Sequence, residues 1–185
     1  MITLLLMACS QIDSDAEAEL AYLGLDTAVS RALELGLVGF NTASSANIDD
    51  QQDEGDVSGE MIVSGQVDQG SSDNKGLRLF VALDGYADFL DLDGHDGVHF
   101  VYDTDAPLDF DVQLRDIPDG TLEGTLVGPV LLRDDLTGSA AYALSLAGPI
   151  QSDGAGGVER VPGETVVTGT VTGPQGGVWD VDVVR

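Results

Sequence analysis

From residue 57 onward apolar side chains recur at every second position, and that period limits most of this chain to β-structure. Val57, Met61, Val63 and Val67 fall on one face with Gly59 and Gly65, against Ser58, Glu60, Ser64 and Gln66 on the other. Leu77, Leu79, Val81 and Leu83 repeat the pattern, as do Leu108, Phe110, Val112 and Leu114, which alternate with Asp109, Asp111 and Gln113. One dry face and one wet face mark antiparallel strands. Further strands are expected near residues 89–92, 98–102, 121–132, 140–147, 165–172 and 178–183. Turn sequences such as Asp93-Gly94, Pro118-Asp119-Gly120 and Gly173-Pro174-Gln175-Gly176 separate them. These links are too short for crossover helices, so sequential strands should pair antiparallel.

The expectation is therefore a mainly β domain over residues 56–185. It should be an up-and-down meander of about eight or nine strands, closed into a small barrel or a rolled sheet. A two-sheet sandwich competes with it. A membrane-spanning barrel does not, because the second face of most strands is Asp, Ser, Thr, Gln and Glu, which lipid would not tolerate.

Before residue 57 the period is different. Residues 16–35 are rich in Ala, Leu and Glu, with Tyr22, Leu25, Val29, Ala32 and Leu33 at helical spacing. Ser14 or Asp15 is placed to cap this helix, and Gly36 or Gly39 to end it. It is expected to pack on the sheet or plug one end of it. Residues 41–56 (NTASSANIDDQQDEGD) are polar and acidic and read as a loop or linker.

The start of the chain reads ITLLLMA and then Cys9. Seven apolar residues cannot cross a hydrocarbon core of about 30 Å. The run resembles the apolar h-region of a secretory signal. Leu6-Met7-Ala8-Cys9 resembles the lipobox of bacterial lipoproteins. That resemblance implies cleavage before Cys9 and a lipid on its thiol, with residues 1–8 a signal peptide truncated at its start. Residues 9–55 then become a lipidated tether, helix and acidic linker. Ser10 in place of Asp implies the outer membrane. The resemblance covers about ten residues and implies processing and location, not activity. With one cysteine, no disulfide can form within the chain.

The 33 acids against 7 bases, net −26, repel nucleic acid and anionic headgroups, so no nucleic-acid partner is expected. The densest constellation is Asp91, Asp93, His95, Asp96 and His99 around a Gly-containing turn. Its carboxylates could converge on Ca²⁺, or its histidines could share a transition metal with them. The EF-hand pattern fails, because His95, Asp96 and Tyr102 stand at its fifth, sixth and twelfth positions. A solvated hairpin turn is the plain alternative. There is no Gly-x-Ser-x-Gly, no phosphate loop leading into a helix, and so many acids that no pair singles itself out. Trp179, the lone tryptophan, reads as core, with ligand stacking as the alternative.

The functional expectation is a non-enzymatic binding or structural module held at a membrane through Cys9, its partner or ligand unidentified. The alternatives are a carrier holding an apolar ligand in a small barrel, a Ca²⁺-dependent adhesin or assembly partner, and a carboxylate hydrolase.

Overall fold

The alternating segments become strands that pair in chain order. The computed structural model describes residues 10–42, 45–68, 73–89 and 99–185. Within them one helix, α1 (Asp15–Thr42), precedes ten strands. These are β1 (Asn47–Glu54), β2 (Ser58–Val67), β3 (Lys75–Ala87), β4 (Phe100–Asp103), β5 (Leu108–Arg115), β6 (Thr121–Asp134), β7 (Gly138–Ser152), β8 (Val158–Arg160), β9 (Val166–Thr172) and β10 (Val178–Val184). All pairings between strands are antiparallel, in the order β1-β2-β3-β4-β6-β7-β9-β10. β5 shares the place of β4 between β3 and β6, and β8 pairs with the far end of β7. The sheet is a meander, and its closure into a ring is partial. β1 and β10 end the path, and α1 packs against both.

The core follows from the alternation. In β5 the residues Leu108, Phe110, Val112 and Leu114 are buried while Asp109, Asp111 and Gln113 face water. Each such Leu or Val contributes about 1.5–3 kcal/mol when fully buried. Inside the curve lies α1, from Ala18 to Leu33 without one exposed residue. A helix buried on nearly all sides sits in a core rather than on a surface. Small residues let it fit. A Cβ added at Gly24 would lie 2.6 Å from the Phe100 ring and collide with the Tyr102 hydroxyl. Tyr102 and Tyr142 both donate hydrogen bonds to the Ala21 carbonyl, at 2.9 and 3.1 Å.

The start of α1 is fixed by Ser14 and Glu17. The Glu17 amide donates to the Ser14 hydroxyl at 3.3 Å, and the Glu17 carboxylate accepts from the Asp13 amide at 2.8 Å. This is a near-form of the capping box.

Four sequence expectations change. The helix passes through Gly36 and Gly39 and ends at Thr42; these glycines permit close approach by Leu79 and Ile48 instead of stopping it. The acidic stretch expected to be a linker contains β1, an edge strand with Ile48 alone in the core and Asp or Gln along most of the rest. Val57 is exposed, because Gly59 adopts φ 71° and the register slips between Ser58 and Glu60. Phe89 lies outside the strands and is 73% exposed; residues 90–92, the remainder of the strand expected there, fall outside the described residues.

Candidate functional site

Cys9 lies outside the described residues, but its neighbour does not. Ser10 forms a parallel bridge with Leu136, its amide donates to the Asp135 carbonyl at 3.3 Å, and its carbonyl accepts from the Thr137 amide at 2.8 Å. Two residues later Ile12 is buried in the core. The chain is thus stitched to the β6–β7 connection immediately after Cys9, with no free tether between. Glu17 reinforces the join. Its burial works to raise its pKa, but hydrogen bonds from the Ser10 hydroxyl, the Asp13 amide and the Ser14 hydroxyl outweigh that and hold it below the usual range.

Of the proposed metal cluster, Asp91, Asp93, His95 and Asp96 lie outside the described residues. His99 is described and half-exposed. Its Nδ1 is 2.8 Å from Asp134 Oδ2, and its backbone amide donates to Asp135 at 2.7 Å. These contacts tie the start of β4 to the end of β6. Among the described residues no three His, Cys, Asp or Glu side chains are grouped to hold one ion.

Among the described residues, the carboxylates held above their ordinary pKa do not share a cleft. Asp13 is raised by its hydrogen bond and repulsion with Glu17, and Glu34 is raised by burial and by Glu159. Twenty-one residues separate them, about 30 Å along a helix.

A buried ionic centre went unread in the sequence. Asp26, in the middle of α1, accepts from Arg160 Nη1 at 2.9 Å, from Arg185 Nε at 3.3 Å and from the Tyr22 hydroxyl at 2.7 Å. Arg160 also reaches the Ser30 hydroxyl with Nε at 3.1 Å. Burial works to raise the Asp26 pKa, but Arg160 outweighs it and holds the carboxyl below its ordinary value. The set acts as a clamp between α1, β8 and the end of β10, and it lines a hollow of about 350 Å³ with Val161, Pro162 and Val184. A second clamp faces the other edge. Arg31 pairs with Asp56 at 2.7 Å, with Asp53 at 3.4 Å and with the buried Asp88 at 3.6 Å. Asp88 also accepts from the Tyr86 hydroxyl at 2.6 Å.

No known protein family, curated protein or solved structure matches this chain. The concave surfaces therefore have to be judged on their own chemistry.

Two of them stand out. The larger, about 580 Å³, is an outward groove where β3 leaves β5 for β4. There the ladder is completed by side chains: the Leu83 amide donates to the Thr104 hydroxyl at 2.9 Å and the Gly85 amide to Asp103 at 2.8 Å. Glu60, Asp84, Asp103 and Asp105 line it with Ile62 and Leu131, and Arg133 pairs with Asp103. The smaller, about 240 Å³, opens at the end of the rolled sheet where α1 terminates. Leu37, Phe40, Ile117, Pro118 and Val158 make it apolar, and among the described residues Lys75 is its one charged wall residue. Trp179 is at neither place; it lies half-buried at the margin of the core.

Proposed function

We propose that this chain is a lipid-anchored protein of the bacterial cell envelope, most consistent with the outer membrane. Its rolled-sheet domain serves, without catalysis, as a binding or structural module. One observation carries the reading: the lipobox-like Leu6-Met7-Ala8-Cys9 directly precedes Ser10, the first described residue, which is bridged to Leu136. Cleavage before Cys9 would leave the Ser10–Leu136 bridge and the buried Ile12 within the mature chain. No helix among the described residues is long and apolar enough to cross a membrane, so attachment in this reading rests on acyl chains. Two or more chains hold a protein stably where one is marginal.

The binding role draws support from the two concave surfaces and from the clamps, which keep the sheet rigid around them. A ligand carried deep inside the sheet is disfavoured, because α1 fills that space.

The test is metabolic. Cells expressing the protein are grown with labelled palmitate and fractionated. Label should appear on the wild type, and Cys9→Ser should lose it and move to the soluble fraction. An unlabelled wild type, or a Cys9→Ser form that stays in the membrane fraction, overturns the proposal.

A further inference from the structure

We propose that the outer face of β6 and β7 docks a second copy of this chain, about a two-fold axis running along the strands between them. The second copy is then a partner for the binding module proposed above, and the pairing does not depend on acylation of Cys9.

The face is set apart by its chemistry. Along β7 every outward side chain from Ser139 to Ala147 is Ser or Ala. Beside them on β6 stand the taller Val127, Pro129 and Leu131, and on β9 Thr168, Thr170 and Thr172. None of these carries a charge, in a chain with 33 acids. Acids resume on either side, as Asp109 and Asp111 on β5 and as Asp180 and Asp182 on β10. Val127 and Leu131 stay 45% and 46% exposed. A broad uncharged face of this kind invites association.

Register shows that the face fits itself. Asp109, Val127, Ala143 and Thr170 form one row across the sheet, and Asp111, Thr125, Ser145 and Thr168 the next. Sheets packed face to face lie about 10 Å apart, with strand directions within about 30°. An axis between β6 and β7 lays β6 over the partner's β7 and β5 over the partner's β9, with the rows kept level. Val127 then seats on the partner's Ala143, a tall side chain over a low one. Asp109 meets the partner's Thr170 and Asp111 the partner's Thr168, so each acid lies over a hydroxyl that can donate to it. An axis along β7 itself would instead set Asp109 against the partner's Asp180 and Asp111 against the partner's Asp182. Charge therefore selects the first arrangement.

The same axis suits anchoring. Ser10 is bridged to Leu136 in the β6–β7 turn. Rotation about an axis along the strands leaves both turns at one end of the pair, so two anchors would reach a single bilayer. Four strands at a spacing of about 4.8 Å, along about 27 Å of β7, cover roughly 500 Å² per copy. A total near 1,000 Å² belongs with weak complexes. Copies held on one membrane would gain effective concentration. Because each copy carries net −26, salt should strengthen the pairing.

The experiment uses the full chain carrying Cys9→Ser, which has no other cysteine, in sedimentation equilibrium. It should dimerise with a Kd of roughly 10–100 µM in 0.5 M NaCl, and several-fold more weakly in 0.05 M. Ala143→Asp, at an exposed position, should weaken the dimer at least tenfold with the melting temperature unchanged. Thr170→Lys, opposite the partner's Asp109, should tighten it about fivefold. Ala155→Lys, the same added charge on a distant loop, should do much less. In oxidised mixtures a Val127→Cys copy should cross-link to an Ala143→Cys copy, whereas Gln66→Cys, outward on β2, should cross-link to neither. The proposal is overturned by a chain that stays monomeric at 1 mM, by association that Ala143→Asp leaves intact, or by Thr170→Lys and Ala155→Lys acting alike. It is overturned too if a monomer floats with phosphatidylcholine vesicles and Ala143→Asp abolishes this, the occupant then being a bilayer. None of these results bears on the palmitate test.

Discussion

Asp26 and Gly24 show how much of this fold rests on single positions. Asp26 is one of few buried acids, and two arginines and a tyrosine converge on it. Asp26→Asn would leave the Arg160 guanidinium, 8% exposed, without its counter-charge. Removing one partner of a buried pair costs about 3–5 kcal/mol. Urea unfolding at neutral pH should show a loss of that order. The pH dependence has a definite sign. A carboxyl whose pKa is depressed by folding stabilises the native state above its unfolded value, near 4, and that contribution fades as pH falls through the folded value. Between neutral pH and about 4 the wild type and Asp26→Asn should therefore differ by a constant amount, and below it the gap should narrow. Gly24 tests sterics against propensity. Alanine improves an exposed helix by about 1 kcal/mol. Here its methyl would collide with Phe100 and Tyr102, so Gly24→Ala should destabilise by about 1–3 kcal/mol in the same assay.

At the scale of elements, Arg31 and Asp26 divide the work of holding α1. Five residues apart on a helix, they point about 140° from one another. One reaches the β1 edge and Asp88, the other β8 and the end of β10. Arg31→Ala should free the β1–β2 end first. Hydrogen exchange should accelerate at the amides of Asp56 and Val57, which bond to Asp88 and the Ala87 carbonyl, ahead of those in β6 and β7.

The elements also show what the sequence made legible. Strands with a period of two were readable because each buries a run of alternate apolar residues, as β5 does. β1 was not, because an edge strand needs only Ile48 inside and protects itself with acids. The glycines of α1 misled for a related reason: Gly36 can stop a helix or admit a neighbour, and only Leu79 across the core decides between them. The candidate sites were the least readable. Asp26 and Arg160 are 134 residues apart, and Lys75 meets Phe40 only after the sheet has rolled. No local spacing encodes such meetings.

For the whole molecule the dominant quantity is charge. With 33 acids and 7 bases, compaction brings like charges together, and the described ion pairs engage only a minority of the acids. Screening lengths shrink from about 10 Å at 0.1 M salt to about 3 Å at 1 M. Added NaCl should relieve repulsion more than it weakens the clamps, which are partly shielded from solvent. The melting temperature should rise steadily between 0.05 and about 1 M NaCl, and to the same extent with KCl. A fall over that range would mean that the ion pairs outweigh the net charge.

The enclosure of α1 by a sheet that ends on β10 has a consequence in time. During synthesis the helix emerges first, while the strand that completes its surroundings, with Val181 in the core, comes last. Nothing made earlier can finish the job, so folding has to await the arrival of the C-terminal segment. Until then a greasy rod and half a cradle coexist, and whatever escorts the nascent chain must keep both from sticking to their neighbours.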